Sequence, residues 1–277
     1  MNVRLSIADP VKLDGFMTLE VQGHQMRVYG RNLGSDQRPV LICNGLGQAV
    51  EILFPFMAEL GDRPIVSFDA IGVGRSTVPN TPLSIEDHAR AVADMLGQLG
   101  VAEYDIIGIS WGGSIAQQLA HDDPNGCKKL VLAITSAGGL GSWWGSPIAL
   151  SELFLPLRYS SREYGNLIGP LMYGGEAIMD PELFEEYSKN SIAPTYKGYI
   201  GQVMAMCSWT SLGWLHRLKQ PTQIYSGLYD ALIPAPNQYL LASRIPNSEL
   251  KTFQAGHLLM YSKREEVGRM IVRFLED

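Results

Sequence analysis

Apolar positions along the chain come in two rhythms. Short unbroken runs alternate with longer stretches of helical spacing. The runs are Pro39-Val40-Leu41-Ile42-Cys43, Pro64-Ile65-Val66-Ser67-Phe68, Tyr104-Asp105-Ile106-Ile107 and Lys129-Leu130-Val131-Leu132-Ala133-Ile134. A strand that is apolar on both faces is one covered on both sides, so each run predicts a buried central strand. Upstream, residues 16–28 read as two strands around a turn at Gln22-Gly23-His24, with clean alternation in Met17-Thr18-Leu19-Glu20-Val21. Residues 32–38 read as a polar loop. Residues 51–60 and 84–99 predict helices. The second has Ser84 at its N-cap, Asp87 three residues on, Glu86 in its first turn and Gly100 at its stop. Strands alternating with helices imply an α/β architecture with a mostly parallel sheet. The alternation ends at Ser136. It resumes with Pro221-Thr222-Gln223-Ile224-Tyr225-Ser226 and Leu250-Lys251-Thr252-Phe253, then a closing helix over residues 263–275 with Val267, Met270, Ile271 and Phe274 on one side. We therefore expect a core of residues 1–135 and 216–277. A helical lid of residues 136–215 is expected after the sixth strand.

One pentapeptide organises the rest. Gly108-Ile109-Ser110-Trp111-Gly112 follows a buried-strand run and opens the helical run Ser114-Ile115-Ala116-Gln117-Gln118-Leu119-Ala120, which stops at His121-Asp122-Asp123-Pro124. Strand, sharp turn and helix in that order put a serine at the tip of a strained turn, its Oγ out over the sheet. The flanking glycines are required because a Cβ there would meet the neighbouring strand or helix. Ser110 is thus the expected nucleophile, and a serine here excludes a mechanism that starts from a nucleophilic aspartate.

Length and composition narrow the field. A chain of 277 residues suits one domain with an insertion better than two domains. A net charge of −6 speaks against nucleic acid as a partner. Cys43, Cys127 and Cys207 are three in number and lack metal-ligand spacing, as do the scattered histidines, so no metal is expected. The start, Met1-Asn2-Val3-Arg4-Leu5 with Asp9 and Lys12 behind it, has no long apolar stretch. No signal peptide or transmembrane segment is expected, and the cytoplasm is the expected location. Asp69-Ala70-Ile71-Gly72-Val73-Gly74-Arg75-Ser76 carries a G-x-G but lacks the third glycine of a dinucleotide loop. No nucleotide cofactor is expected, and Asp69 is read as fixing a tight turn.

A serine hydroxyl needs a base within hydrogen-bond reach, and the base needs an acid to hold its tautomer. On sheets of this kind these parts follow in the order serine, acid, histidine. His88 lies before the serine and is read as a surface residue. His121 sits about three turns along the same helix, too far at about 1.5 Å per residue. His216 has no strand-end acid before it. His257 directly follows the last strand. Asp230 is the only carboxylate between Glu186 and Glu249, just past a strand end. The expected set is Ser110, Asp230 and His257. The turn Asn44-Gly45-Leu46-Gly47 ends a buried strand and can aim backbone N–H groups outward, so the expected oxyanion donors are the N–H groups of Leu46 and Trp111. Asn44, Trp111, Trp143, Trp144, Met206 and Trp209 are the candidates for an apolar acyl or alcohol pocket under the lid. The segment from Gly138 to Gly145 is read as flexible.

Over nearly its whole length the chain resembles the α/β-hydrolase superfamily. Within it, the chain is similar to the intracellular depolymerases of medium-chain polyhydroxyalkanoates, bacterial storage polyesters. The likeness is carried by Cys43-Asn44-Gly45-Leu46-Gly47, Glu51-Ile52-Leu53-Phe54-Pro55-Phe56, Phe68-Asp69-Ala70-Ile71-Gly72-Val73-Gly74-Arg75-Ser76 and Ile109-Ser110-Trp111-Gly112-Gly113. Trp214-Leu215-His216 and Arg244-Ile245-Pro246-Asn247 add to it, and Cys127-Lys128-Lys129 and Trp209-Thr210-Ser211 are its more particular parts. The resemblance implies an α/β-hydrolase fold, hydrolysis of 3-hydroxyacyl esters by the same three residues, and a polymer-granule surface as partner. Tyr229 stands where a second acid is expected. The residues themselves leave open a general carboxylesterase or lactonase, an acyltransferase, a C–C bond hydrolase, and a hydrolase-fold receptor.

Overall fold

The computed structural model describes residues 11–159 and 161–277; the reading of the first residues, Met1 to Leu5 among them, lies outside the described residues. Eight strands form one sheet in the order β1-β2-β4-β3-β5-β6-β7-β8. β1 (Leu13–Val21) and β2 (His24–Leu33) are an antiparallel hairpin. Its turn, Gln22-Gly23, has φ of 50° and 76°. Positive φ at both central residues gives a tight turn whose twist matches that of the strands. β2 joins β4 antiparallel. From β4 to β8 every pairing is parallel.

The predicted runs form β3 (Val40–Cys43), β4 (Ile65–Phe68), β5 (Tyr104–Ile109) and β6 (Cys127–Ala133), followed by β7 (Thr222–Gly227) and β8 (Ser248–Phe253). Their side chains divide between two cores. Leu41, Ile106, Leu130 and Leu132 face one, with Val92 and Met95 of α2 (Ile85–Gln98) and Ile115 and Leu119 of α3 (Trp111–Asp122). Ile42, Ile107, Val131 and Ala133 face the other, with Phe56 and Met57 of α1 (Phe54–Ala58) and Val267 and Ile271 of α11 (Arg264–Glu276). The two-residue period of a strand does this sorting.

Between β6 and β7 lie α4 (Pro147–Phe154), α5 (Arg162–Tyr173), α6 (Glu176–Met179), α7 (Pro181–Asn190) and α8 (Tyr196–Ser208). Ser146, Ser161, Asp180 and Thr195 cap α4, α5, α7 and α8, each side chain accepting a first-turn N–H. α9 (Pro236–Arg244) follows β7, and α10 (Leu259–Ser262) follows β8.

Three local expectations need correction. The helix expected over residues 51–60 is split into a 3₁₀ turn at Val50–Leu53 and α1, because Pro55 supplies no N–H and starts a new helix. His88 is not on the surface: it is 3% exposed and meets the Trp111 ring edge-on at 5.0 Å. It falls on the stripe of α2 that holds Ile85 and Val92, and the stripe is buried whatever residue stands in it. The segment Gly138–Gly145 is tied down. Asn237 holds both the N–H and the carbonyl of Trp143 at 2.9 Å, and Ser142 Oγ bonds Ser136 Oγ at 2.8 Å.

Chain direction across the sheet reverses at β3, which has β4 on one side and β5 on the other. The loops leaving β3 and β5 therefore separate and open a crevice at the carboxyl ends of the strands. The site is built there.

Candidate active site

Ser110 links β5 to α3 with φ 52° and ψ −120°. This conformation is strained for any residue with a Cβ, and its neighbours hold it. The Ser110 N–H donates to the Ala133 carbonyl at 2.9 Å, and its carbonyl accepts from Gly113 N–H at 2.8 Å and from Thr135 Oγ1 at 2.7 Å. Glycine is needed around it. A Cβ on Gly112 would overlap the Cys43 carbonyl oxygen, one on Gly113 the Thr135 hydroxyl, and one on Gly108 the Ala116 methyl at about 2.5 Å.

The three residues singled out by chain order meet at this tip. His257 Nε2 is 2.9 Å from Ser110 Oγ, and His257 Nδ1 is 2.7 Å from Asp230 Oδ2. An ionised carboxylate can only accept, so Nδ1–H donates to Asp230, which leaves Nε2 to accept the serine hydroxyl. Asp230 is fixed in turn: its Oδ1 accepts the N–H groups of Leu232 at 2.8 Å and Ile233 at 2.7 Å. His257 and Asp230 are both buried.

The helices between β6 and β7 take part in holding this set. His257 N–H donates to the Tyr173 carbonyl at 2.7 Å, and Gly256 N–H to Glu176 Oε2 at 3.1 Å. The Tyr173 ring lies parallel to the imidazole at 6.1 Å. Gly174 bridges to Asp230. Tyr173 and Glu176 are absent from the sequence-derived set. The only trace of them in the sequence is the pair Gly174-Gly175, which lets this backbone press against the loops carrying Asp230 and His257.

The turn after β3 packs on the serine. Asn44 folds back on its own loop, accepting from Gly45 N–H at 2.8 Å and donating to the Ala49 carbonyl at 2.8 Å. Gly47 N–H donates to Gln202 Oε1 at 2.9 Å, and Gln48 N–H to the Gly45 carbonyl at 3.2 Å. Just before them the Leu46 N–H has no acceptor among the described residues. Trp111 is the first residue of α3, and a first-turn N–H has no intrahelical acceptor. Positive partial charge at that helix end is directed to the same place.

Two cavities flank Ser110. One is lined by Asn44, Ser110 and His257 with mostly apolar neighbours, among them Phe56, Met172 and Met260. The other is lined by Trp111, Trp143, Trp144, Met206 and Ile233. Leu46 and Leu232 border both. Trp209 borders neither. It is 4% exposed, its indole N–H donates to Gln118 Oε1 at 2.8 Å, and its ring covers Gly138. The Trp111 indole is likewise committed, donating to the Gln202 carbonyl at 3.0 Å. Burial pushes the Cys43 thiol well up from its usual range and pulls the His88 imidazole down to about 4, so both stay uncharged near neutral pH. Among the described residues no three His, Cys, Asp or Glu side chains are grouped to hold a metal ion, and no helix is long and apolar enough to cross a membrane.

A nucleophile elbow on a mostly parallel sheet, with carboxylate and imidazole arriving from later strand ends, defines a class. Residues 38–263 match the family model of the alpha/beta hydrolase fold, and the chain belongs to that family of hydrolases. It is 39% identical over 263 residues to a poly(3-hydroxyalkanoate) depolymerase of Ectopseudomonas oleovorans, covering 95% of this chain and 93% of that one. It is 27% identical over 229 residues to a 2-hydroxymuconate semialdehyde hydrolase of Pseudomonas putida, with 78% of each chain covered. The solved structure of an enol-lactonase from Burkholderia xenovorans LB400 superposes with a TM-score of 0.81 at 19% identity, over 94% of this chain and 100% of that one.

Proposed function

We propose that this protein hydrolyses carboxylic esters through an acyl-serine, and that its substrates are medium-chain 3-hydroxyacyl esters, in poly(3-hydroxyalkanoate) or its oligomers. One observation carries the chemistry: Ser110 Oγ stands 2.9 Å from an imidazole whose other nitrogen is 2.7 Å from a buried carboxylate. His257 takes the proton as Ser110 Oγ bonds the ester carbonyl carbon. The oxyanion that forms is met by the N–H groups of Leu46 and Trp111, each worth about 3 kcal/mol of transition-state stabilisation. His257 then protonates the leaving alcohol. Water, deprotonated by the same imidazole, releases the acid and restores Ser110. Asp230 stabilises the imidazolium at each stage. No step needs a cofactor.

The substrate class rests on the two apolar cavities and on the 39% identical depolymerase. In this reading residues 136–215 form a lid on a core of residues 1–135 and 216–277. The lid also carries exposed apolar side chains: Leu167 is 70% and Met179 82% exposed, and Leu155, Leu157 and Ile178 are exposed too. Exposed apolar side chains of this kind suit contact with a polymer granule inside the cytoplasm.

The test is a chain-length series of p-nitrophenyl esters run beside a suspension of medium-chain polyester. Octanoate is expected to exceed acetate in kcat/KM, and hydroxyacids are expected to leave the polymer. Many turnovers per site remove the receptor reading. A flat or reversed profile removes the medium-chain assignment and leaves ester hydrolysis standing.

A further inference from the structure

Among the described residues, the cavity bounded by Asn44, Ser110 and His257 has one permanently charged residue in its wall, Arg158. It stands in the 3₁₀ turn Leu157–Tyr159 behind α4. The bonds of its guanidinium go to neutral acceptors. Nη1 donates to the Glu152 carbonyl at 2.7 Å, and Nη2 to the hydroxyls of Tyr199 at 3.1 Å and Tyr159 at 3.3 Å. Nε is buried with no partner among the described residues. The nearby carboxylate of Glu152 is engaged elsewhere: Oε2 accepts the backbone N–H of Arg158 at 3.0 Å and Oε1 the Tyr164 hydroxyl at 2.7 Å. A cation set into an apolar wall without an anion of its own is costly, and a ligand anion relieves that cost through charge-assisted bonds. Arg158 also borders the outer groove that contains Tyr159, Ser188 and Lys189. It thus stands where the chamber over Ser110 meets a more polar groove.

We infer that Arg158 binds a free carboxylate of the substrate, so that the preferred ester is the one nearest the carboxyl end of a hydroxyacid chain. The inference rests on the ester-hydrolase reading and narrows it. In such a chain each ester oxygen belongs to the unit nearer the carboxyl end, so the half that carries the carboxylate is the leaving alcohol. The Arg158 cavity then holds the alcohol half, and the cavity of Trp143, Trp144 and Met206 holds the acyl half. Ser110 Oγ bonds the acyl carbon, and the bond from that carbon to the alcohol oxygen breaks. The serine proton passes through His257 to that oxygen, and a free hydroxyacid departs. Water then divides between the two remaining partners, its hydroxyl going to the acyl carbon and its proton to Ser110. The chain is shortened from its carboxyl end.

The probe is the linear dimer of 3-hydroxyoctanoate as the free acid and as its methyl ester, compared by kcat/KM at neutral pH. Bonds to a charged group of this kind are worth on the order of ten- to a hundredfold. The wild-type enzyme is expected to favour the acid by that ratio. Arg158→Gln is expected to bring the ratio close to one, and Arg158→Lys, which keeps the charge but not the fork, to leave it in between. The ratio is read on one preparation, so partial misfolding cancels. If Arg158→Gln does not fold, Arg158→Lys decides: a lowered ratio supports the assignment and an undiminished one overturns it. Equal rates on the two dimers in the wild type, or a full wild-type ratio in Arg158→Gln, also overturn it. Turnover of p-nitrophenyl octanoate with no preference between the dimers removes this inference alone. Failure on all three esters removes the ester-hydrolase reading with it.

Discussion

The backbone N–H of His257 donates to the carbonyl of Tyr173 at 2.7 Å. The imidazole facing Ser110 is therefore positioned by a helix that the chain inserts between β6 and β7, as well as by its own loop. Gly175, two residues on, has φ 54°, and a Cβ there would overlap the Gly256 nitrogen. Gly175→Ala is expected to push the His257 loop off line. A displacement of 1 Å at reacting groups can cost about a hundredfold in rate. Steady-state kinetics on p-nitrophenyl octanoate should show kcat down by one to two orders of magnitude with KM nearly unchanged. An unchanged kcat would remove the clasp from the account.

Replacement of the groups to which the proposal gives the chemistry makes the sharpest contrast. Ser110→Ala is expected to lower kcat by about 10⁴ or more, with the far-ultraviolet circular dichroism spectrum retained. Asp230→Asn keeps an oxygen for the N–H groups of Leu232 and Ile233, but offers His257 an amide that favours the wrong tautomer. A loss on the order of 10⁴ in kcat is expected, with the fold intact. Retention of most activity by either variant contradicts its assigned role.

Asp69 lies fully buried where the chain leaves β4. Its carboxylate accepts from Val50 N–H at 2.9 Å, from Arg75 N–H at 2.8 Å and from Arg27 Nη1 at 3.1 Å, and so ties three separate segments together. Asp69→Ala leaves the buried Val50 N–H, the part-buried Arg75 N–H and part of a guanidinium unpaired. Breaking a buried pair in this way costs about 3–5 kcal/mol. Urea unfolding should show a lower midpoint at constant slope; a midpoint shift worth less than about 1 kcal/mol would contradict the assignment.

Acid should destabilise the protein through His88. Burial against Trp111 lowers its folded pKa to about 4 from an ordinary value of 6.5, with Asp87 acting in the opposite sense. As pH falls below 6.5 the unfolded chain binds this proton first, so the folded state loses ground. The stability tied to keeping this ring neutral is whole above pH 6.5 and is lost by the time pH passes below about 4. It amounts to about 3 kcal/mol. His88→Gln is expected to flatten the stability-against-pH curve over that interval. Chemical denaturation at half-unit pH steps checks it, and a variant as steep as the wild type would assign the slope to other groups.

What the sequence discloses follows from what each interaction demands of residue type. Runs such as Val40–Cys43 must be apolar on both sides, so their burial is legible at once. That Ser110, Asp230 and His257 come together is legible because chain order on such a sheet leaves few candidates. His88 was open to the same logic, since it sits three residues after Ile85 and four before Val92, but a histidine reads as polar before its position is weighed. Tyr173 holds His257 through a backbone carbonyl, which any residue could supply, so only the glycines that follow it hint at the contact. Trp209 suggests a pocket wall by its size, yet that size is spent covering Gly138. Arg158 carries no local motif. It becomes visible only when the carboxylate of Glu152 is found bonded to other groups.

Leu232 touches both hollows beside Ser110, and its N–H is one of the two that grip Asp230. With Leu46, which borders both as well, Leu232 thus helps to divide two rooms, and its backbone is bolted to Asp230. A ligand too wide for either room leans on that partition and, through it, on the carboxylate. Leu232→Ala is expected to join the two rooms, so that, on the ester-hydrolase proposal, branched or cyclic esters gain in kcat/KM relative to straight-chain ones.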